Sequence, residues 1–566
     1  MSPVLTESGV PEMNWKIGDE PVRRINTGIM CTALSLLILS SSGCSYTLND
    51  GELREINVGL SSNVVTVDPQ MVGDAASAAV VTGYSGTLYR YNSEGELVPD
   101  LASSYEVSED GLTWTFHLYE EAMWSNGDPI TADDFVFGVQ RIADPATGSG
   151  SVYYLTSYCS IVNADDIFNG EADISEIGVY ADDPHTVRYE LEEPCPYFDT
   201  LIASPLFAPC NRSFFYSCNG HYCETSDYMI SSGPFIVDRY EPLASQIHFT
   251  KNPYYIHSDS VELDGVCLYT INNPQQGYMC FDDGQVDVVT VKGELLDMIG
   301  DDSHVRYIPG GCYFFSFNFR NDAINNINIR RALIRAIDRQ SIADNVVRSG
   351  SIPMLRAVEE GFYSGESTEQ YDEQTEEFAE LCSYDPEAAL EVWNQGMEEL
   401  GVSSLDLTLA YRNDLGSIIE AVTDEWQRNL PGLHITLRAL TREQWLTELG
   451  GGDYDMIISS WMPDYSDPMA YLSCFETNIN ASTPLYSDPE YDGLILSSTD
   501  PSVVNDTEAR NAVLLEAEMY LAEQAAFVPV VFCGTAIMVS DNVENFSVVP
   551  VGISYIFQDM RWEETE

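Results

Sequence analysis

The alternation of apolar and polar residues predicts strands at several places in the chain. Glu55–Leu60 alternates polar and apolar positions, as a half-buried strand does. Leu112–Leu118 alternates in the same way and is rich in aromatic residues, which favours a second strand. Tyr454–Trp461 is almost continuously apolar and is expected to be a strand buried on both faces.

Helical segments lie between these strands. Thr131 is expected to cap a helix that has Asp133 and Asp134 in its first turn, where the helix dipole favours acids. Helix capping explains this acid pair better than a glycosidase dyad does. Ile329–Ile337 carries apolar residues on one face and arginines on the other. Mixed strands and helices predict α/β domains around central sheets, and a cleft between such domains is the default ligand site.

The charge of the chain excludes two classes of function. Among 566 residues, 90 acids face 25 bases, and the formal net charge is −65. Binding to nucleic acid or to an anionic membrane surface needs a basic patch, and the sequence shows none. The acid excess serves solubility or tolerance of salt, or else it favours cationic ligands. Since salt screens such a field beyond about 10 Å, it is not a source of specificity.

The amino terminus has the anatomy of a signal peptide. Arg23 and Arg24 precede an apolar stretch, Ile29–Leu39, that is too short to span a bilayer. The end, Ser-Ser-Gly-Cys44, resembles a bacterial lipobox, although Ser41 stands where an apolar residue is preferred. Residues 1–44 are therefore predicted to be a signal peptide with a lipobox-like end, in which Cys44 is lipidated, becomes the first mature residue and anchors the protein outside the cell membrane. Without lipidation, the protein would be periplasmic. A short buried helix is the alternative.

Eleven cysteines follow Cys44, and some are expected to pair in an oxidising compartment. Cys210, Cys218 and Cys223 cluster around His221. This cluster has three possible interpretations: a local disulfide, free thiols or a metal site. The disulfide is favoured, because zinc sites normally show two ligand pairs and the second is missing. We expect no metal and no cofactor.

A series of segments resembles the peptide-binding lipoproteins of family 5, which serve ATP-driven oligopeptide and dipeptide (ABC) importers. In chain order they are Thr66–Gln70, Leu97–Leu118, Trp124–Phe137, Ser232–Phe235, Lys251–Tyr255, Phe315–Asn318, Ile329–Arg339 and Trp461–Pro468. The stretch from Leu97 to Phe137 is the most specific. The resemblance covers about residues 55–560.

The resemblance implies an α/β, two-lobed periplasmic-binding-protein-like fold with an inserted domain and the ligand in the interlobe cleft. Residues 45–54 would be a tether. Residues 55–88, 196–300 and 516–566 would form lobe one, residues 89–195 the inserted domain, and residues 301–515 lobe two.

Asp464 matches the family aspartate that takes the amino terminus of a bound peptide. An ammonium group removed from water needs a carboxylate partner, because an unpaired buried charge is very unfavourable. The competing interpretation is a turn aspartate, since Asp-Tyr-Ser-Asp-Pro468 is rich in turn formers. The neighbouring Trp461 and the family context favour the ligand role. Asp467, before Pro468, is expected to shape the turn.

The resemblance also places other ligand contacts. An extended peptide is held by strand addition, and the candidate segments contain Ser459, Ser460 and Trp461 on one side and Cys312, Tyr313 and Phe314 on the other. Trp461 and Tyr153 would form walls of side-chain pockets. For Tyr153 an ordinary core role is an equal alternative.

Two positions depart from the family pattern. Ile458 stands about where well-studied relatives have an arginine that helps with the ligand carboxylate. Met462 stands where a cysteine partner for Cys312 would be. An anchor for one fixed peptide length is therefore not evident.

The predicted function is capture of short peptides by a monomer and delivery to an ABC permease and its ATPase subunits. A secreted hydrolase is disfavoured, because no zinc helix, nucleophile elbow or phosphate loop occurs in the sequence. Relatives that bind nickel chelates, haem or sugars are alternatives within the fold, and so is a receptor for peptide signals.

Overall fold

The structure is a computed structural model that describes residues 54–300, 303–362, 375–477, 483, 485–500, 502–504, 506–549, 551 and 555–563. All of them belong to one compact unit of the chain. The predicted signal peptide, including Cys44, and nearly all of the predicted tether lie outside the described residues. No helix within the described ranges is long and apolar enough to cross a membrane.

The described strands are numbered in chain order. They are β1 Glu55–Leu60, β2 Tyr89–Tyr91, β3 Leu97–Pro99, β4 Ala102–Val107, β5 Thr113–Leu118, β6 Val179–Asp183, β7 Thr186–Glu190, β8 Phe235–Arg239, β9 Gln246–Lys251, β10 Gly265–Thr270, β11 Val288–Val291, β12 Val305–Phe317, β13 Ile352–Pro353, β14 Leu405–Arg412, β15 Leu433–Leu440, β16 Met456–Trp461, β17 Phe527–Val539, β18 Val543–Glu544 and β19 Arg561–Trp562.

One large mixed sheet organises the molecule, in the order β15-β14-β16-β12-β17-β11-β1-β10-β9-β8, with β13 beside β17. The first three strands in this order come from the second half of the described chain. The last five come from residues 55–291. The long strands β12 and β17 pair antiparallel over most of their length and lie between these two groups. The two strands β12 and β17 therefore connect the two halves of the sheet, and these halves correspond to the two lobes of the fold.

The longer helices pack on the sheets and on one another. They are Ala75–Tyr84, Ala132–Ala143, Pro274–Asp282, Ile327–Arg335, Thr375–Cys382, Pro386–Leu400, Gly416–Asn429, Arg442–Gly451, Pro489–Ser497 and Thr507–Glu523. Shorter α-helices are Ala164–Phe168, Phe198–Leu201, Arg212–Ser217, Glu294–Ile299, Asp322–Asn325, Arg339–Ile342 and Met469–Leu472. Tyr154–Tyr158 and Ala343–Val347 are single π-helical turns.

A separate antiparallel sheet, in the order β4-β5-β7-β6, lies within residues 102–190. Its inward residues Trp114, Phe116 and Tyr189 are almost fully buried and pack on Phe198. The alternation along Thr113–Leu118 has the expected physical basis, since every second residue of β5 is buried.

The local predictions are confirmed for several elements. β1 and β5 form as expected, and the first four residues of β16 are buried. Thr131 and Asp134 form a reciprocal capping box at the start of Ala132–Ala143, so this acid is a helix cap. The arginine-bearing helix begins two residues earlier than predicted and ends at Arg335.

The predicted local disulfide is wrong, because the eleven cysteines of the described residues are all thiols. Cys210 is buried and accepts a hydrogen bond from Arg141 Nη1 at 3.7 Å. Cys223 lies 3.8 Å from the hydroxyl of Tyr84. His221 instead pairs with Glu224 at 2.7 Å. Within the described ranges, no group of three or more His, Cys, Asp or Glu is placed to hold a metal ion.

Candidate functional site

A cavity of about 220 Å³ is lined by several parts of the chain, of which three bear on the predicted site. The first is the start of the helix Ala75–Tyr84, and the second is the segment that contains Tyr153 and Tyr154. The third is the segment Met462–Asp464, which follows β16 directly. β16 is buried at the centre of one half of the sheet, and so the strand carries this segment to the edge where the cleft lies.

Asp464 provides a carboxylate on the wall of this cavity. Its Oδ2 accepts a hydrogen bond from the Tyr158 hydroxyl at 2.6 Å. Burial raises the pKa of Asp464, and hydrogen bonds from Tyr158 and Tyr154 oppose that rise. No Lys or Arg among the described residues forms an ion pair with it. The site therefore holds a half-buried acid that lacks a cationic partner within the described part of the chain.

The tyrosines beside Asp464 come from a single π-helical turn. Ring centroids lie 5.0 Å apart for Tyr153 and Tyr154, 5.2 Å for Tyr153 and Tyr158, and 5.3 Å for Tyr154 and Tyr158. The extra residue in a π turn places the hydroxyls of two of these rings toward one carboxylate. Tyr154 and Tyr158 are not among the residues predicted from sequence, although the Tyr-Tyr-x-x-x-Tyr spacing is a usable signal.

The turn that carries Asp464 is fixed on its far side. Asp467 accepts from the backbone N–H of Met469 and forms two hydrogen bonds with Arg510, at 2.7 and 2.8 Å. Tyr465 stacks on Tyr197 with ring centroids 4.3 Å apart. Asp467 thus shapes the turn, as predicted, and the buried Arg510 holds it in place.

The predicted contact of Cys312, Tyr313 and Phe314 with ligand main chain stays a prediction, and the strand pairing within the protein bears on it. β12 is a central strand, and these residues pair with β16 on one side and with β17 on the other. Both edges are therefore used within the protein. Cys312 and Phe314 are also buried in the core, whereas Tyr313 is half-buried and its side chain lines a second cavity.

The other predicted residues are placed as follows. Ser459 is fully buried, and its hydroxyl lies 2.9 Å from that of Ser316, so its side chain faces the interior. Ser460 is half-buried opposite Tyr313. The indole N–H of Trp461 donates to the carbonyl oxygen of Ala470. Tyr153 is 37% exposed and lines the cavity beside Asp464. Ligand contacts by these residues stay predictions.

The second cavity is larger, about 680 Å³, and shares Ala75 with the first. One wall is built from the ends of β1 and β11, including Ser61 and Lys292. The opposite wall contains Tyr313 and Asp414. The two cavities are lined by residues from both halves of the large sheet.

Comparisons with a family model, with curated proteins and with solved structures point to the same protein family. Residues 96–483 match the model of the bacterial extracellular solute-binding proteins, family 5. The chain is 26% identical to the dipeptide-binding protein of Lactococcus lactis subsp. cremoris, over 92% of this chain and 96% of the relative. It is 28% identical to a probable deoxycholate-binding periplasmic protein of Escherichia coli, over 82% and 86%. The structure of peptide-bound Listeria monocytogenes OppA, 26% identical, superposes with a TM-score of 0.68 and covers 91% of this chain and 100% of that chain.

Proposed function

Since the chain belongs to the family 5 bacterial extracellular solute-binding proteins, we propose that it captures peptides outside the cell membrane and delivers them to an ABC permease. Asp464 would bind the ligand's ammonium group, and the remainder of the peptide would run along the cleft past Ala75. The protein would act by binding alone, without hydrolysing its ligand.

The observation that supports this function is the unneutralised carboxylate of Asp464 in a cavity. Keeping a charge half-buried without a cation is unfavourable, as its raised pKa reflects. A ligand ammonium would supply the missing positive charge. It would bind the Asp464 carboxylate in the orientation that the hydrogen bonds from the tyrosines already fix. The L. lactis relative is named for dipeptides and the L. monocytogenes structure contains a peptide, which supports the same ligand class.

The direct experiment identifies what the protein carries. The part of the chain after the lipidation site, residues 45–566, is purified without refolding and denatured, and the released molecules are analysed by mass spectrometry. We expect peptides with free amino termini. A bile acid, metal chelate, haem or oligosaccharide would exclude the proposal. Shortened fragments of an added labelled peptide would show hydrolysis and support the alternative function of a secreted hydrolase.

Peptide affinity is expected to fall on acidification, starting above the pH at which an ordinary aspartate titrates. Binding of an ammonium needs the ionised form of Asp464. Burial raises its pKa from the usual 3.8, so the protonated form becomes significant at higher pH. Below that pKa, affinity falls about tenfold for each pH unit. Isothermal titration calorimetry with trialanine from about pH 7 down to about pH 4 measures this.

Tyr158→Phe is the matched variant for that titration. It removes a hydroxyl that lowers the pKa of Asp464, so the loss of affinity should move to higher pH. An affinity that stays constant over the whole range in the parent protein would contradict the role of Asp464.

The proposed function also includes a lipid anchor at Cys44. Lipidation of Cys44 would keep the protein near the permease, and a monomer is sufficient for this role. The mass of the mature amino-terminal peptide tests it, since diacylglycerol on Cys44 adds a large, lipase-sensitive mass. An unmodified Cys44, or a mature chain that begins elsewhere, would refute the anchor.

A further inference from the structure

The larger cavity of about 680 Å³ is the place where the far end of a bound peptide would lie. Ala75 lines both this cavity and the cavity of Asp464, so the two are neighbours and a chain held at its amino end by Asp464 would extend toward the larger one. Ser61 and Thr290, from the ends of β1 and β11, give one wall a polar character. The chemistry of this space therefore bears on what the ligand carries beyond its first residues.

Lys292 and Asp414 are the charged residues that line this cavity. Asp414 already has a partner, because Arg412 donates two hydrogen bonds to its carboxylate, and this pairing lowers the pKa of Asp414. Lys292 follows β11 directly and is exposed. It forms no ion pair with any residue in the described part of the chain. No described side chain therefore neutralises its charge.

Lysine is exceptionally rare in this protein, which makes the position of Lys292 informative. The 566 residues contain only Lys16, Lys251 and Lys292, while the other 22 basic residues are arginine. Lys251 has a structural role, since its Nζ donates to the carbonyl oxygen of Val261 at 2.6 Å. The predicted mature chain therefore has two lysines, of which one is used within the fold and the other lines the cleft.

We propose that Lys292 binds a carboxylate of the ligand, at the opposite end of the cleft from Asp464. This inference rests on the proposed function. It requires that the ligand carry a carboxylate in addition to its ammonium group. Ile458, where an arginine might have stood, is fully buried in the core and offers no such charge. A lysine is a compact charge on a flexible stem, so it reaches carboxylates at several distances, whereas arginine favours fixed bidentate geometry. The carboxylate is the ligand's carboxyl terminus or an acidic side chain.

The first experiment compares free acids with carboxyl-terminal amides of trialanine, tetraalanine and pentaalanine by isothermal titration calorimetry. The parent protein should bind the acid that best fits the cleft about tenfold more tightly than the matching amide, as expected for one charged contact. Lys292→Gln should remove this difference by weakening the acid alone. Lys292→Arg should keep most of it, and Lys251→Gln, which retains Lys292, should keep all of it.

A second pair of peptides separates the two sources of the carboxylate. Ala-Ala-Glu-amide and Ala-Ala-Gln-amide differ only in one acidic side chain. A Lys292-dependent preference for the former identifies side-chain recognition, and a preference confined to the free acids identifies the carboxyl terminus. Equal losses for acid and amide in Lys292→Gln, or no loss for either pair, would overturn the proposal. Absence of any peptide binding by the parent protein would instead reject the proposed function.

Amine labelling of the unaltered protein gives an independent answer. With so few lysines, acetylation by a water-soluble active ester is read residue by residue in the digested protein. Saturating peptide acid should slow acetylation of Lys292 at least tenfold and leave Lys251 unchanged, while the amide should protect much less. Equal rates at Lys292 with and without bound peptide acid would also contradict the assignment.

Discussion

Replacing Asp464 with asparagine lowers peptide affinity by about tenfold to a hundredfold. The variant keeps the size and one carbonyl oxygen of the side chain but removes the charge that would bind the ligand ammonium. Losing a charged hydrogen-bonding partner costs roughly 1.5–3 kcal/mol, which corresponds to that range of affinity. Calorimetry with trialanine and longer alanine peptides measures the change.

The fold should tolerate this substitution. Asp464 is half-buried and has no cationic partner among the described residues, so removal of its charge should leave the thermal midpoint unchanged or slightly higher. Asp414→Asn is the matched control, since it removes a cleft carboxylate that Arg412 already neutralises. If Asp464→Asn keeps peptide affinity within a factor of two of the parent, the ammonium contact is assigned to the wrong residue.

Replacing Arg510 with methionine destabilises the protein by about 3–5 kcal/mol. Arg510 and Asp467 are both buried, at 4% and 8% exposure, and two hydrogen bonds join them. Methionine leaves the Asp467 carboxylate buried without its partner, which is the unfavourable outcome for a pair of this kind. Denaturation by urea, followed by tryptophan fluorescence, measures the loss.

Two further variants show whether the buried charge is the cause. Arg428 is 63% exposed and pairs with Glu425 at 3.5 Å, so Arg428→Met should change stability by less than about 1 kcal/mol. Combining Arg510→Met with Asp467→Leu removes both charges and should recover much of the lost stability. Equal stability of the Arg510 and Arg428 single variants would show that the buried pair has no special role.

The Arg510 variant also connects stability to binding. Asp467 lies three residues after Asp464 in the same turn, and Tyr465 between them stacks on Tyr197. Arg510 itself lies 5.8 Å from the centre of the Tyr197 ring. Loss of the ion pair should therefore loosen the turn and weaken peptide binding, even at temperatures where the variant is folded.

Local features of this protein follow from its sequence. The period of two in β5, the buried run of β16 and the capping box at Thr131 each depend on residues that are near neighbours in the chain. Such patterns report which side of an element is buried. The position of Asp464 just after a buried strand is of this kind, and the family resemblance gives it a role.

Contacts between distant segments are decided only by the tertiary structure. Tyr158 reaches Asp464 across 306 positions of sequence, and nothing in the local pattern of either segment indicates that pairing. The family resemblance placed Phe314 in a ligand-pairing segment, and only the structure shows that β12 has a neighbouring strand on each side. Periodicity identifies a buried face but not the strand that lies beside it.

The two charges of the proposed site illustrate the same division. The resemblance of the sequence to the family identified Asp464 as the candidate for the ligand's amino end, and it implied that Ile458 stands where relatives have an arginine. The rarity of lysine is equally plain in the sequence, but it indicates no function. Only the tertiary structure decided that Lys292 lines the cleft, because the sheet brings the end of β11 to the wall that faces Asp414. Strand order is set by packing between segments far apart in the chain, and so local chemistry alone does not determine it.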